Sequence, residues 1–232
     1  MGQDRMSALI SSLVAVAGTG ALLGLTLAIG QQRQENLALF FAYQGAALVV
    51  AAAVVAHIRL SKRGRLAYLA PGRFGAPARA MPLLGVRAGE SWAKTGTVFA
   101  VIVSVVTAGY LYSSGPVALA APLSAWALAA FIAVPLSLSN AFVEEVVTRW
   151  TLAEGLTGDL ARAAPWASAT LFGAVHYFGI PGGVPGVLMS GFVGWLLTRS
   201  IQDTGGIGWA ILIHFVLDML IFTVSLASFI RP

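Results

Sequence analysis

Two adjacent glutamates, Glu144 and Glu145, and Arg149 four residues further on interrupt a run that is otherwise uncharged from Pro122 onward. A charge inside a bilayer costs at least ~2.5–3.5 kcal/mol, so three of them together need partners or a purpose. On a helix, Asn140, Glu144 and Thr148 are four apart and share one stripe. Glu145 and Arg149 share a second, rotated from the first by about 100°. The spacing predicts a division of labour. Glu145 and Arg149 neutralise each other within the helix, which leaves Glu144 to face a cavity beside Asn140. The competing reading is a helix leaving the membrane with its charges among the headgroups.

Two later segments carry the other polar residues that apolar surroundings would penalise. His176 follows Phe172 by one helical turn, which lets the two rings pack. His214 and Asp218 are four apart on one face. If the first helix ends near Gly155, Glu144 lies roughly 16 Å above that end at 1.5 Å per residue. His176 then lies about 18 Å into its own span, and His214 with Asp218 about 10–16 Å into theirs. Three separate segments therefore bring Glu144, His176, His214 and Asp218 to a common depth. Accidental intramembrane charges have no reason to line up in this way.

Composition says what must hold them. The chain has 232 residues, 58% hydrophobic and only 10% charged, with mean hydropathy +0.83. A soluble domain carries roughly 25% charged residues, so the expected fold is all-α, a polytopic transmembrane helical bundle forming one integral membrane domain over 1–232. About seven apolar segments can be traced: 8–30, 37–58, 92–112, 122–155, 164–178, 186–198 and 207–230. Gly20 with Gly24, and Gly186, Ser190 and Gly194, are small-residue stripes suited to close helix packing. Pro135 is a candidate kink. The first segment is too long for a cleaved signal and is read as a retained span. With no cysteine in the chain, disulfides, thiolate metal sites and a cysteine nucleophile are excluded.

Between the second and third segments, residues 59–94 hold eight of the fourteen Lys and Arg against one acid, Glu90. This bias accounts for the net charge of +5 without nucleic acid. A basic stretch between spans marks the cytoplasmic side and meets anionic headgroups, so the N-terminus is expected inside. The Pro and Gly residues of 71–89 predict an irregular surface segment. His57 is expected at the membrane interface.

Taken in order, Glu144-Glu145-x-x-x-Arg149, Phe172-x-x-x-His176 and His214-x-x-x-Asp218 on separate late spans resemble the CPBP family of intramembrane endopeptidases. That family includes CAAX prenyl endopeptidases and bacteriocin-processing and immunity proteins. The resemblance covers about Leu119 to Leu226, taken as the catalytic part. This chain departs from the family pattern in having Thr148 and Trp150 around the motif arginine, where Phe and Gly are common, and Asp218 where Asn is frequent.

The resemblance implies hydrolysis of a peptide bond in a membrane-anchored protein or peptide. With no cysteine and no serine-nucleophile motif, the attacking group is most simply water, activated by a carboxylate with a neighbouring histidine. Glu144 is assigned as general base and His176 as its helper. His214 and Asp218 are assigned to stabilising the oxyanion or binding an activating ion. Glu145 and Arg149 hold the helix, and Asn140 is a candidate donor to the substrate backbone. Glu144, His176 and His214 also form an N/O set for a divalent metal such as Zn²⁺, although the His-Glu-x-x-His signature is absent. A non-catalytic immunity or scaffold protein and a proton-coupled transporter are the other classes that intramembrane Glu, His and Asp would serve. The Ala/Gly/Val/Arg-rich composition points to a bacterial inner membrane, where literal CAAX processing is not expected.

Overall fold

In lipid every backbone polar group must be satisfied within the chain, and helices do this segment by segment. The computed structural model describes residues 3–29, 36–61, 66–114, 121–179 and 182–229. The stretches between apolar segments at 31–36, 113–121 and 179–185, together with Lys62, Arg63 and Arg65, lie wholly or partly outside these residues. Among the described residues seven helices of 12 residues or more follow one another: α1 Gln3–Ile29, α2 Leu37–Ser61, α3 Trp92–Ser114, α4 Leu123–Glu145, α5 Ala164–Val175, α6 Gly183–Thr204 and α7 Gly208–Phe229. No β-strand occurs among the described residues; two isolated bridges join Pro77 to Ser91 and Met81 to Val86.

Six of these helices are long and apolar enough to cross a membrane. The exception is α5, whose 12 residues reach only about 18 Å. The expected fifth span is thus a short helix prolonged by a 3-10 turn, His176–Phe178. Its antiparallel packing against α6 is backbone-close. A Cβ on Gly173 would come within 2.7 Å of the Val187 carbonyl oxygen, and one on Gly194 within 3.1 Å of the Ser168 carbonyl oxygen. The stripe of Gly186, Ser190 and Gly194 is buried, as its small side chains suggested. A Cβ added at Gly20 or Gly24 would meet nothing within 4 Å, so no neighbouring helix approaches closely at this pair. Instead α1 approaches closely at Gly18, where a Cβ would meet Val147 at 2.9 Å.

The long rod through α4 runs from Leu123 to Gly155. It carries Pro135 inside α4, then takes a π turn over Val146–Trp150 before resuming as Thr151–Gly155. Both the backbone N–H and the hydroxyl of Thr151 reach the Val146 carbonyl, the hydroxyl at 2.8 Å, which fixes the wide turn. Inserted turns of this kind re-aim side chains and recur at functional sites. The main core gathers around this stretch, with Val143, Val146, Val147 and Trp150 packed among α2, α6 and α7 residues.

Residues 66–91, expected as an irregular surface segment, form a clasp on the corner between α6 and α7. Arg73 N–H donates to the Thr204 carbonyl at 2.9 Å, Ile207 N–H to that of Ala70 at 2.9 Å and Gly208 N–H to that of Pro71 at 3.0 Å. Gly72, at φ +76°, sits where a Cβ would lie 2.7 Å from the Gly206 nitrogen. Asp203, whose side chain is 1% exposed, bridges to Arg79 and accepts from Trp92 Nε1 at 3.1 Å, so it joins α6, the clasp and the start of α3. Asp203→Ala removes the acceptor for both. Hydrogen bonds to a charged group are worth roughly 1.5–3 kcal/mol, so the variant should melt several degrees lower in detergent. Thermal denaturation followed by circular dichroism checks this, and an unchanged midpoint would show that the clasp holds without Asp203.

Candidate active site

The wide turn after α4 places its two glutamates on either side of one imidazole. Glu145 is fully enclosed, and one of its oxygens takes both Arg149 Nη1 and His214 Nδ1, each at 2.7 Å. A carboxylate accepts, so Nδ1 of His214 is the donor and carries a proton. On the far side of the ring, Nε2 lies 3.5 Å from Glu144 and 3.6 Å from Asp218. The expected pair of Glu145 and Arg149 is therefore one part of a three-residue link that also fixes His214. Two adjacent glutamates do not face one point, yet they grip opposite edges of one ring.

Arg149 is also completely buried. It bonds the Thr148 hydroxyl at 3.2 Å and lies 3.8 Å over the Phe172 ring, a cation–π contact that strengthens when water is excluded. Phe172 in turn stacks on His176, with centroids 4.1 Å apart, and meets the edge of His214 at 6.0 Å. The ring pairing of Phe172 with His176 was legible in the spacing, whereas its contact with Arg149 was not. His176 Nδ1 donates to the Phe172 carbonyl at 2.9 Å, which leaves Nε2 as the ring's acceptor.

Asn140, Glu144, His176, His214 and Asp218 all border one cavity of about 440 Å³, while Glu145 and Arg149 lie behind its wall. The rest of the lining is mostly apolar, with Leu22, Phe40, Val103, Phe192 and Phe222 among its residues. The Glu144 side chain is 20% exposed against 0% for Glu145, so only the first can meet a molecule in the cavity. Asn140, expected to be free for a substrate, donates Nδ2 to Asp218 at 3.0 Å. Sequence reasoning missed the contributions of α1, α2 and α3 to the wall, including Thr19, Tyr43, Gln44 and Thr107. Isolated polar residues in apolar helices were the signal available for them.

The donors do not fit a resident metal ion as arranged. Among the described residues no group of three or more His, Asp or Glu could hold one. Glu144, His176 and His214 share the cavity, but both His214 nitrogens already face carboxylates.

Six long apolar helices with a buried carboxylate–histidine cluster at the wall of an apolar cavity define an integral membrane protein. Residues 123–220 match the family described as Rce1-like, type II CAAX prenyl endopeptidase, in agreement with the CPBP resemblance of the three motifs. The matched stretch contains all three motifs, from Glu144 to Asp218. No curated protein and no solved structure matches it.

Proposed function

We propose that the protein is an intramembrane endopeptidase in which Glu144 activates a water molecule against a peptide bond of a membrane-anchored substrate. The observation that carries this is the asymmetry of the two glutamates: Glu144 borders the cavity, and Glu145 is sealed behind it between Arg149 and His214. Glu144 takes a proton from water as the oxygen attacks the carbonyl carbon, then returns it to the leaving amine. His176 Nε2 accepts the water's second hydrogen and so aims its lone pair. His214, doubly protonated, keeps Nδ1–H on Glu145 and turns Nε2–H to the developing oxyanion, with Asp218 and Glu145 as fixed counter-charges. Asn140 holds Asp218 in place. The apolar cavity excludes bulk water, which strengthens each of these interactions.

No step passes through a metal, because the donor set does not suit one. Purified protein should therefore keep full turnover after exhaustive chelation, with no stoichiometric metal found by elemental analysis. Activity lost to chelator and restored by Zn²⁺ would replace this mechanism with a Lewis-acid one.

The substrate is read as a protein or peptide cleaved near its membrane anchor, at a leader or a C-terminal sorting tail. The setting is a bacterial inner membrane with the N-terminus and the basic stretch inside. Terminal proteomics comparing a deletion strain with wild type tests it. The expected result is a small set of membrane-protein termini that appear only when the gene is present. No changed terminus under any growth condition would remove the peptidase reading.

A further inference from the structure

Of the polar side chains in the cavity wall outside this mechanism, Gln44 carries a buried amide nitrogen without a hydrogen-bond partner. Gln44 lies in the first third of α2, lines the cavity and is 4% exposed, while Ala47 and Ala51 of the same helix are core residues. A buried carboxamide costs free energy unless its donors and acceptor are all hydrogen-bonded. One end of this one is satisfied, since the Ser139 hydroxyl donates to Gln44 Oε1 at 3.0 Å. The other end, Nε2, has no hydrogen-bond partner among the described residues. Ser139 thereby sets which way the amide points, and it stands next in the chain to Asn140 on the catalytic helix. The Asn140 amide is already committed to Asp218.

A peptide held in an apolar cavity brings carbonyl groups that have lost their water, and each needs a donor. We infer that Gln44 is a substrate-binding residue whose Nε2–H donates to a backbone carbonyl of the bound peptide close to the scissile bond, with Ser139 as its positioning residue. The inference rests on the peptidase reading and adds a binding contact from α2, outside the matched segment 123–220. It also explains why an orphaned donor persists in a mostly apolar wall, where an apolar residue of the same size would be less costly.

The test substitutes Gln44→Met, which keeps the length and apolar bulk of the side chain and removes both polar ends. Ser139 retains its second contact, the Leu136 carbonyl at 3.0 Å, so no new orphan is created. The probe is an internally quenched peptide that spans a cleavage site mapped by the terminal proteomics above and keeps its membrane anchor, presented in lipid–detergent micelles. Loss of one hydrogen bond made equally in ground and transition states should raise KM about tenfold and leave kcat within about threefold. The melting temperature should be unchanged or higher. Direct binding of the probe to Glu144→Gln protein should weaken by the same factor, about tenfold, when Gln44→Met is added. If wild type cleaves the probe but Gln44→Met matches it in KM, or differs only with a lowered melting temperature, Gln44 is structural and the peptidase reading stands. If wild type leaves the probe uncut while Glu144→Gln binds it no better than micelles do, the reading falls and the inference with it.

Discussion

Replacing Glu144 with glutamine should abolish turnover in a protein that still folds and still binds its substrate. The substituted amide would keep the size and the hydrogen-bonding outline of the side chain but could not take a proton from water. Losing a positioned general base costs about 10²–10⁴-fold, and the single-turnover rate should fall by at least the lower figure. Stability should change little, because the Glu144 side chain borders the cavity and stands 3.5 Å from His214 Nε2. Its backbone carbonyl, which accepts from the Thr148 hydroxyl at 2.7 Å, is untouched by the change. Single-turnover cleavage and melting temperature, measured on the same preparation, separate this from misfolding. A well-folded Glu144→Gln that cleaves at the wild-type rate would move the base elsewhere and leave the exposure argument without force.

Much of this arrangement was readable from spacing alone, for a physical reason. Helical periodicity is local, so contacts within one turn follow from the numbers: Glu145 with Arg149, Phe172 with His176 and His214 with Asp218. The fixed rise per residue put Glu144, His176 and the His214–Asp218 pair at similar heights on three separate segments, and the four line one cavity. Contacts between helices were not legible in the same way. Nothing in the spacing says that Glu145 reaches His214 across 69 positions, or that Asn140 spends its amide on Asp218. The π turn at Val146–Trp150 escaped because no proline or glycine marks it; Thr151 supports it through a carbonyl five residues back. The basic stretch is irregular and largely exposed, as its Pro and Gly content reads. Its docking was not legible: the same residues let the backbone lie against Thr204, Gly206 and Gly208 as a clasp.

The largest stability effect is expected at Glu145. Glu145→Gln would leave Arg149 buried at 0% exposure without its carboxylate, retaining only the Thr148 hydroxyl and the Phe172 ring. Breaking a buried pair by removing one partner costs about 3–5 kcal/mol, so melting temperature and expression should both drop sharply. That loss alone would be uninformative about function, because any misfolded variant is inactive. The pair is itself imperfect: Glu145 Oε2, Arg149 Nε and Arg149 Nη2 are enclosed without hydrogen-bond partners. An ion pair with orphaned groups is a poor stabiliser, and apolar residues of similar volume often replace one at no loss. The double variant Glu145→Leu/Arg149→Met should therefore regain much of the thermal stability that Glu145→Gln loses. It should not regain turnover, because His214 Nδ1 would still lack the carboxylate that holds its proton and its orientation. Melting temperature and kcat measured for wild type, the single variant and the double variant decide between the two roles. Recovery of stability with kcat still depressed at least tenfold, the scale of a lost orienting hydrogen bond, identifies Glu145 as a positioning residue acting through His214. Recovery of both together would reduce it to a counter-charge for Arg149.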